Sequence, residues 1–424
     1  MGEFPMSAVK DSLRELSFLF SEAKVSEESL KKDTKSFLHV FSKLKDTRHP
    51  SYVRYRLADL IGICFVMALM GEFTSFYHVE QYVILKPERF IKLGLVEKGC
   101  YPSNDTYRRA FAYIDNTEFR ETLIGSLRQF FAKVDACSSA KGKRMISGDG
   151  QEIRGTGRKK SDGTSERNVN ILNLYDVSSS VTMISVPVEK KTNEIPVFQH
   201  LLKIYDIRDT IVTADALHLQ KDTCRIITER KGYYCIAAKE NQPELKDRIG
   251  KIFSSERKRE SFQEFGRDYS IIRLREEEIA PEWAGAKSVV MTVSHKRDGR
   301  KEGPSPVMFF LTSLTDREEI AETVQRRWEI ENGLHRFKDT NLNQDRIRVR
   351  DRNALKNMAT LNNVVYSLYR IAAGIVGKTP NQTKILYGDR PEELIGKIYP
   401  LTLGNHFTML VKKKMRGTKE SRKD

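Results

Sequence analysis

The chain has 424 residues, and its 73 lysines and arginines outnumber 57 acidic residues to leave a formal charge of +16 and a pI near 9.4. Such a length is ample for roughly two to four units with buried cores, and the basic excess favours a polyanionic partner without saying how any sequence would be read. Five scattered cysteines with no Cys-x-x-Cys pair disfavour a disulfide scaffold and structural zinc and suit a reducing cytoplasm.

Residues 7–135 read as mostly helical, with SLRELSFLFSEA (12–23) and ETLIGSLRQFFAKV (121–134) among the segments. LADLIGICFVMALM (57–70) is the most apolar stretch. It is too short to span a membrane and carries Asp59, so a buried helix is expected. In YPSNDTYRRAFAYI (101–114), a Pro-Ser start and a cap at Asn104 or Asp105 open a short helix. Its Arg108 and Arg109 either enter a DNA groove or stand exposed on a packing helix. The N-terminus is charged and lacks an early apolar core, so no secretory signal is expected.

From Arg144 the pattern turns to strands: RMISGD, VNILNLYDV and VTMISVPVE, the last two reading as a hairpin around Ser178 to Ser180. A helix near Val197 to Tyr205, the strand TIVTAD, a helix through Arg230 and the strand YYCIAAK complete a β-β-β-α-β-α-β order. A ribonuclease H-like core requires that order. Asp149 closes the first strand and Asp215 the fourth. A carboxylate at the tip of a buried strand has lost most of its water and needs a metal or a cation to stay ionised. Taken singly, each reads as an ordinary turn aspartate or helix cap. The stretch from about Glu244 to Arg317 holds YSIIRLREEE, SVVMTVSHKR and PVMFFLTSL, an inserted, mostly β module. Trp283 there is either a core anchor or a base-stacking wedge.

RRWEIENGLHRFKD (326–339) reads as a helix that sets Arg327, Glu331, His335 and Lys338 within roughly 80° at ~100° per residue. A carboxylate flanked by cations on one face suits a metal ion beside a phosphate; i,i+4 ion pairs on an amphipathic helix are the plainer alternative. With Asp149 and Asp215 upstream, Glu331 completes an Asp, Asp, Glu set of the kind a ribonuclease H-like sheet gathers beside a helix. LKNMATLNNVVYSLYRIAAG then forms an amphipathic helix that would buttress the sheet.

At these residues the chain resembles the DDE transposases of bacterial insertion sequences, of the H-repeat-associated type. The resemblance rests on GDGQEIRG around Asp149, KTNEIPVFQHLL (Lys191 to Leu202), TADALHLQKDT (Thr213 to Thr223), AAKENQPEL (Ala237 to Leu245) and RWEIENGLHRFKD. DTRHPSYVRYRLADLIGICFVMALMGEFTSF resembles the family's N-terminal associated domain, so the likeness runs from about Phe37 to Arg370. Two positions depart. Val324 stands where the family's Tyr-Arg-Glu-Lys signature begins, ahead of Arg327, Glu331 and Lys338, and Gln151 stands where the family usually has lysine after Asp-Gly. Neither change removes a carboxylate.

The resemblance implies a mixed α/β (α+β) fold with a ribonuclease H-like catalytic core, a mostly β insertion and a helical N-terminal domain. It implies two-metal phosphoryl transfer on double-stranded DNA, both transposon ends and target, with two Mg²⁺ ions per site and Mn²⁺ as substitute. Asp149 would bridge both ions, Asp215 and Glu331 would complete one coordination sphere each, and Arg327 and Lys338 would clamp phosphates. His335 either touches the scissile phosphate or is a satisfied helix histidine, and Asn332 either orients Glu331 or bonds to the backbone. Lys239, Asn241 and Gln242 either border the site or form a polar turn ahead of Pro243. Joining two ends calls for a homodimer in the DNA complex, in the bacterial cytoplasm at the nucleoid and away from any membrane. A nuclease that cuts without joining and a silent DNA-binding descendant are the alternatives.

Three basic clusters extend the expected DNA contacts. RGTGRKKSDGTSER (154–167) reads as a flexible loop offering Arg154, Arg158, Lys159 and Lys160. RIRVRDR would put Arg346, Arg348, Arg350 and Arg352 on one face if extended, and KKKMRGTKESRK (412–423) closes the chain. The expected organisation is a helical N-terminal domain (1–140), a first core part (141–243), a β-rich insertion (244–317), a second core part with the glutamate helix (318–378) and a basic tail (379–424).

Overall fold

The computed structural model describes residues 27–123, 143–188 except 160 and 162, 194–295 except 276–277 and 280–281, and 307–402. The expected helix at 12–23, most of the one at 121–134, Lys160 and residues 403–424 lie outside the described residues, and the first part of the expected tail instead forms the helices Pro380–Tyr387 and Pro391–Thr402. The strands are β1 (Arg144–Ile153), β2 (Arg158–Lys159), β3 (Ser165–Glu166), β4 (Val169–Asp176), β5 (Val181–Val188), β6 (Thr210–Ala214), β7 (Tyr233–Ala238), β8 (Glu260–Glu264), β9 (Arg267–Arg273), β10 (Ser288–Ser294) and β11 (Val307–Thr312). Nine of them form one mixed sheet in the order β5-β4-β1-β6-β7-β11-β10-β9-β8, and β2 with β3 makes a separate ribbon.

The directions follow from the connections. β4 and β5 pair antiparallel through the hairpin turn expected around Ser178 to Ser180, and β4 also pairs antiparallel with β1. The helices Glu194–Ile204 and Lys221–Glu229 are the crossovers that make β1, β6 and β7 parallel neighbours. β6 is buried along its whole length, as is all but the first residue of β7, as expected for parallel strands covered on both faces. The strands of the expected insertion do not form a sheet of their own: β11 pairs antiparallel with β7, and β10, β9 and β8 carry the same sheet outward.

Two apolar cores lie on opposite faces of this sheet, and side-chain alternation sorts the residues between them. Met145, Ile211 and Cys235 join one core with the helix Arg352–Val376 and the N-terminal helices, while their neighbours Ile146, Val212 and Ile236 join the other with Phe198, Ile227 and Ile249. The helix Leu57–Met70 is buried at nearly every residue in the first core, as its even apolarity requires. Among the described residues no helix is long and apolar enough to cross a membrane. The end of the helix Asn104–Tyr113 is tied to the Arg352–Val376 helix by asparagines. Asn353 donates to Ala112 O and Ile114 O, and Asn357 donates to Phe111 O and Ile114 O. These bonds satisfy carbonyls that a helix end otherwise leaves unpaired. Trp283 is buried in the second core. The four described cysteines are free thiols.

Candidate active site

Asp149 lies inside the ten-residue β1, not at its tip. The tip exists on one side only: pairing with β6 ends at Gly148↔Ala214, while pairing with β4 continues to Ile153↔Val169. The next residues on the two parallel strands are Asp149 and Asp215, so their backbones are neighbours. The flanking glycines are needed on the far face. A Cβ at Gly148 would stand 2.2 Å from the Phe198 ring, and one at Gly150 would stand 2.5 Å from the Glu194 carboxylate. They let the Glu194–Ile204 helix lie against β1 while Asp149 faces the other core.

Glu331 comes from a segment whose form differs from the expected regular helix. After the helix Arg317–Arg326 the backbone runs as a π-helix over Glu329–His335 before resuming as α-helix Arg336–Asn341. A π turn takes extra residues, so the side chains after it are rotated away from the face that ~100° per residue predicts. Single π turns inside helices are frequent at functional sites.

The three carboxylates share one electrostatic neighbourhood. Burial pushes the half-buried Glu331 carboxyl above the ordinary carboxylate range; the charges of Asp149 and Asp215 add to this and Arg327 opposes it. Burial works the same way on Asp215, but Lys239, the Ala216 N–H and His218 outweigh it and hold that carboxyl below its ordinary range. Lys239 Nζ is 3.2 Å from Asp215 Oδ1, and Asp149 Oδ2 is 3.3 Å from His335 Nδ1. Glu331 has no side-chain hydrogen-bond or ion-pair partner among the described residues. As the side chains stand, no three of His, Cys, Asp or Glu among the described residues are near enough to close on one ion.

Several expected DNA contacts are placed elsewhere. Lys338 is fully buried, its ammonium donates to Asn363 Oδ1 at 3.0 Å, and burial pushes its pKa down to about 7. A phosphate cannot reach it there, so the expected clamp role is corrected. Arg327 is 7% exposed, with its guanidinium 4.1 Å from the Trp328 ring centroid and 5.4 Å from that of Phe310. It faces Glu331 as a buried counter-charge rather than reaching outward. His335 is buried between Asp149 and Asn173, and burial holds its imidazole below the ordinary range against the pull of Asp149. Asn332 is exposed and lines a cavity with Trp328, Tyr366 and Arg370 that none of the three carboxylates lines.

Arg346, Arg348, Arg350 and Arg352 are exposed, while Ile347 is buried and Val349 packs against the core between them. Arg154 is exposed and 3.6 Å from Asp345. Arg158 and Lys159 form β2, so a short ribbon replaces the expected loop. Arg108 and Arg109 are exposed and both pair with Asp105. The Lys239–Gln242 turn has a definite task, because Asn241 donates to Ala216 O and Gln242 to Leu219 O, pinning the loop that carries Asp215. No motif or spacing singles out His218, Asn173 or Asn363 in the sequence. His218 is buried beside Phe198, and desolvation pushes it down to about 4.

The mixed sheet thus sets Asp149 and Asp215, from neighbouring parallel strands, beside a glutamate on a later helix. The chain belongs to the Transposase DDE domain family, which matches residues 140–368, and its residues 38–125 match the DDE_Tnp_1-associated family. It is 26% identical over 366 residues to "Putative transposase YncI" of Escherichia coli O157:H7, covering 82% of this chain and 91% of that protein. It is 23% identical over 355 residues to "H repeat-associated putative transposase YhhI" of Escherichia coli strain K12, covering 79% and 90%. A piggyBac transposase synaptic complex with hairpin DNA aligns over 96% of this chain and 81% of that one, at 12% identity and a TM-score of 0.39.

Proposed function

We propose that this protein is an insertion-sequence transposase that cuts DNA at the element's ends and joins them to a target, with Asp149, Asp215 and Glu331 holding divalent cations. One observation carries the reading: the Glu331 carboxylate, half-buried and unpartnered, faces Asp149 and Asp215 from an adjacent helix. The β5-β4-β1-β6-β7 order, antiparallel on one side of β1 and parallel on the other, supports a ribonuclease H-like core. The donor set fits a hard cation, since carboxylate oxygens are ligands of choice for Mg²⁺ and Mn²⁺. Two such ions supply activation of the attacking oxygen and stabilisation of the leaving one.

The chain's own residues do the holding. Asp149 is oriented by His335, Asp215 by Lys239 and by the Asn241 and Gln242 clamp on its loop, and Glu331 by the charge of Arg327. The Asp215–Lys239 ion pair would yield to a cation, releasing Lys239 towards phosphate, while His335 keeps its hold on one oxygen of Asp149. Arg154, Arg346, Arg348 and Arg350 offer exposed charge to a DNA backbone, and two copies of the chain would bring two ends together.

The test is cleavage of labelled DNA carrying the element's own ends, with Mg²⁺ or Mn²⁺, by the wild type and Glu331→Gln. Metal-dependent nicking that falls by about a thousandfold in the variant is expected, that factor corresponding to several kcal/mol of lost stabilisation. Joined products select transposase over nuclease. Tight end binding with no cleavage by either protein would leave a DNA-binding descendant, and cleavage untouched by the substitution would assign the wrong glutamate.

A further inference from the structure

Asp149, Asn173 and Ser185 are direct cross-strand neighbours on β1, β4 and β5, because the register pairs Asp149↔Asn173 and Asn173↔Ser185. Asp149 and Asn173 meet His335, and Ser185 meets Asn363 of the Arg352–Val376 helix. Four hydrogen bonds and the Asp149–His335 pair join this row into a path. Lys338 Nζ donates to Asn363 Oδ1 at 3.0 Å, Asn363 Nδ2 donates to Ser185 Oγ at 2.6 Å, and Ser185 Oγ donates to Asn173 Oδ1 at 2.7 Å. Asn173 Nδ2 then stands 3.1 Å from His335 Nε2, and His335 Nδ1 stands 3.3 Å from Asp149 Oδ2. Every member but Asp149 is at most 8% exposed.

The Asp149 end fixes the direction of the whole path. A carboxylate only accepts, so each group along the row must donate towards it. Turning over either asparagine amide would set two donors or two acceptors against each other. In this direction Asn173 offers its N–H to His335 Nε2, which must accept, so the proton of the neutral ring lies on Nδ1 and points at Asp149.

We infer that Lys338, Asn363, Ser185 and Asn173 form a buried positioning array that locks His335 in the Nδ1–H form and thereby aims Asp149. It holds one carboxylate oxygen and leaves the other for the cation. This gives Lys338 a task although no phosphate reaches it, and it rests on the proposed function only for what Asp149 binds. Outer-shell partners of this kind orient metal ligands, and their loss typically costs 10- to 100-fold in metal affinity.

The test has two arms on the full chain. In protein labelled with ¹⁵N-histidine, with the His335 signals assigned by difference from His335→Gln, long-range ¹⁵N–¹H correlation without metal reads the tautomer directly. Neutral Nδ1–H is expected in the wild type and in Ser185→Thr, and a shift towards Nε2–H in Ser185→Ala. In the second arm, Mn²⁺ binding by calorimetry is expected to weaken roughly ten- to a hundredfold in Ser185→Ala and to recover in Ser185→Thr. An Nε2–H or doubly protonated His335 in the wild type overturns the array, as does a Ser185→Ala protein unchanged in both arms. A wild type that binds no Mn²⁺ but shows the expected tautomer changes refutes the metal site and leaves the array standing.

Discussion

Asp339 is the residue at which the departure from the family pattern has a physical consequence. Burial, with the charge of Asp345 adding to it, pushes its carboxyl up to about 6, and the hydrogen bond from Gln151 Nε2 at 2.8 Å recovers only part of the loss. A lysine at position 151, as the family resemblance implies, would bring a positive charge close to this carboxylate. Because the folded-state pKa lies above the unfolded one, the fold holds this proton more tightly. The stability so gained is full below about pH 4 and is lost as pH rises through about 6. Asp339→Asn keeps an acceptor for Gln151 and removes the charge. Thermal or urea unfolding at pH 7.5 should show the variant more stable by about 1 kcal/mol, after discounting for solvent screening at a partly exposed site. The gain should shrink at pH 5; a gain that persists or grows there would contradict the assignment. At this scale the sequence pointed to Asp149, Asp215 and Glu331 because two apolar runs each lead into an aspartate and the segment around Glu331 resembles a family signature. It misplaced Lys338, since a π turn leaves no trace in periodicity. It passed over Asn173 and Asn363, because a buried asparagine gains its meaning only from partners far away in the chain.

At the scale of elements, the order of strands and crossovers was legible from runs of apolar residues and the hairpin turn. Pairing was not. Nothing local in SVVMTVS or VMFFLT says that these strands extend the main sheet through β7, because an edge accepts any strand of suitable register. The docking of the N-terminal helices was equally invisible, and Asn357 is a central part of its polar joint. Its amide donates to Phe111 O at 2.8 Å and Ile114 O at 3.0 Å and accepts from Asn116 Nδ2 at 2.8 Å, all buried. Asn357→Ala would strand these groups, each at a cost of roughly 1–3 kcal/mol when buried without a partner. We expect a loss of roughly 2–4 kcal/mol in urea unfolding. Amide exchange in the Asn104–Tyr113 helix should rise by more than that in β6. Uniform acceleration of exchange through both elements would mean that the asparagine supports the whole core rather than the joint.

For the whole molecule, net charge alone cannot say where DNA lies, since a formal +16 spread evenly would attract any polyanion. The segment after the glutamate helix offers a sharper statement. Ile347 and Val349 anchor it inward and alternate with the exposed Arg346, Arg348 and Arg350, the last of which also donates to Thr156 O, so three exposed charges are fixed in space. Changing the three arginines to glutamine leaves those anchors in place and removes three of sixteen excess charges, too few to abolish general attraction. If each meets one phosphate, the slope of log affinity against log salt should flatten by about 0.9 for each phosphate no longer neutralised, roughly 2–3 in all. Arg225 provides the control. It is exposed on the Lys221–Glu229 helix but already paired with Asp222 and Glu229, so Arg225→Gln should leave the slope within error. Fluorescence anisotropy on a duplex of the element's end, repeated across salt concentrations, measures both. A triple variant with the wild-type slope would move the DNA path off this segment. An equal flattening by Arg225→Gln would mean that the binding senses total charge and not a defined surface.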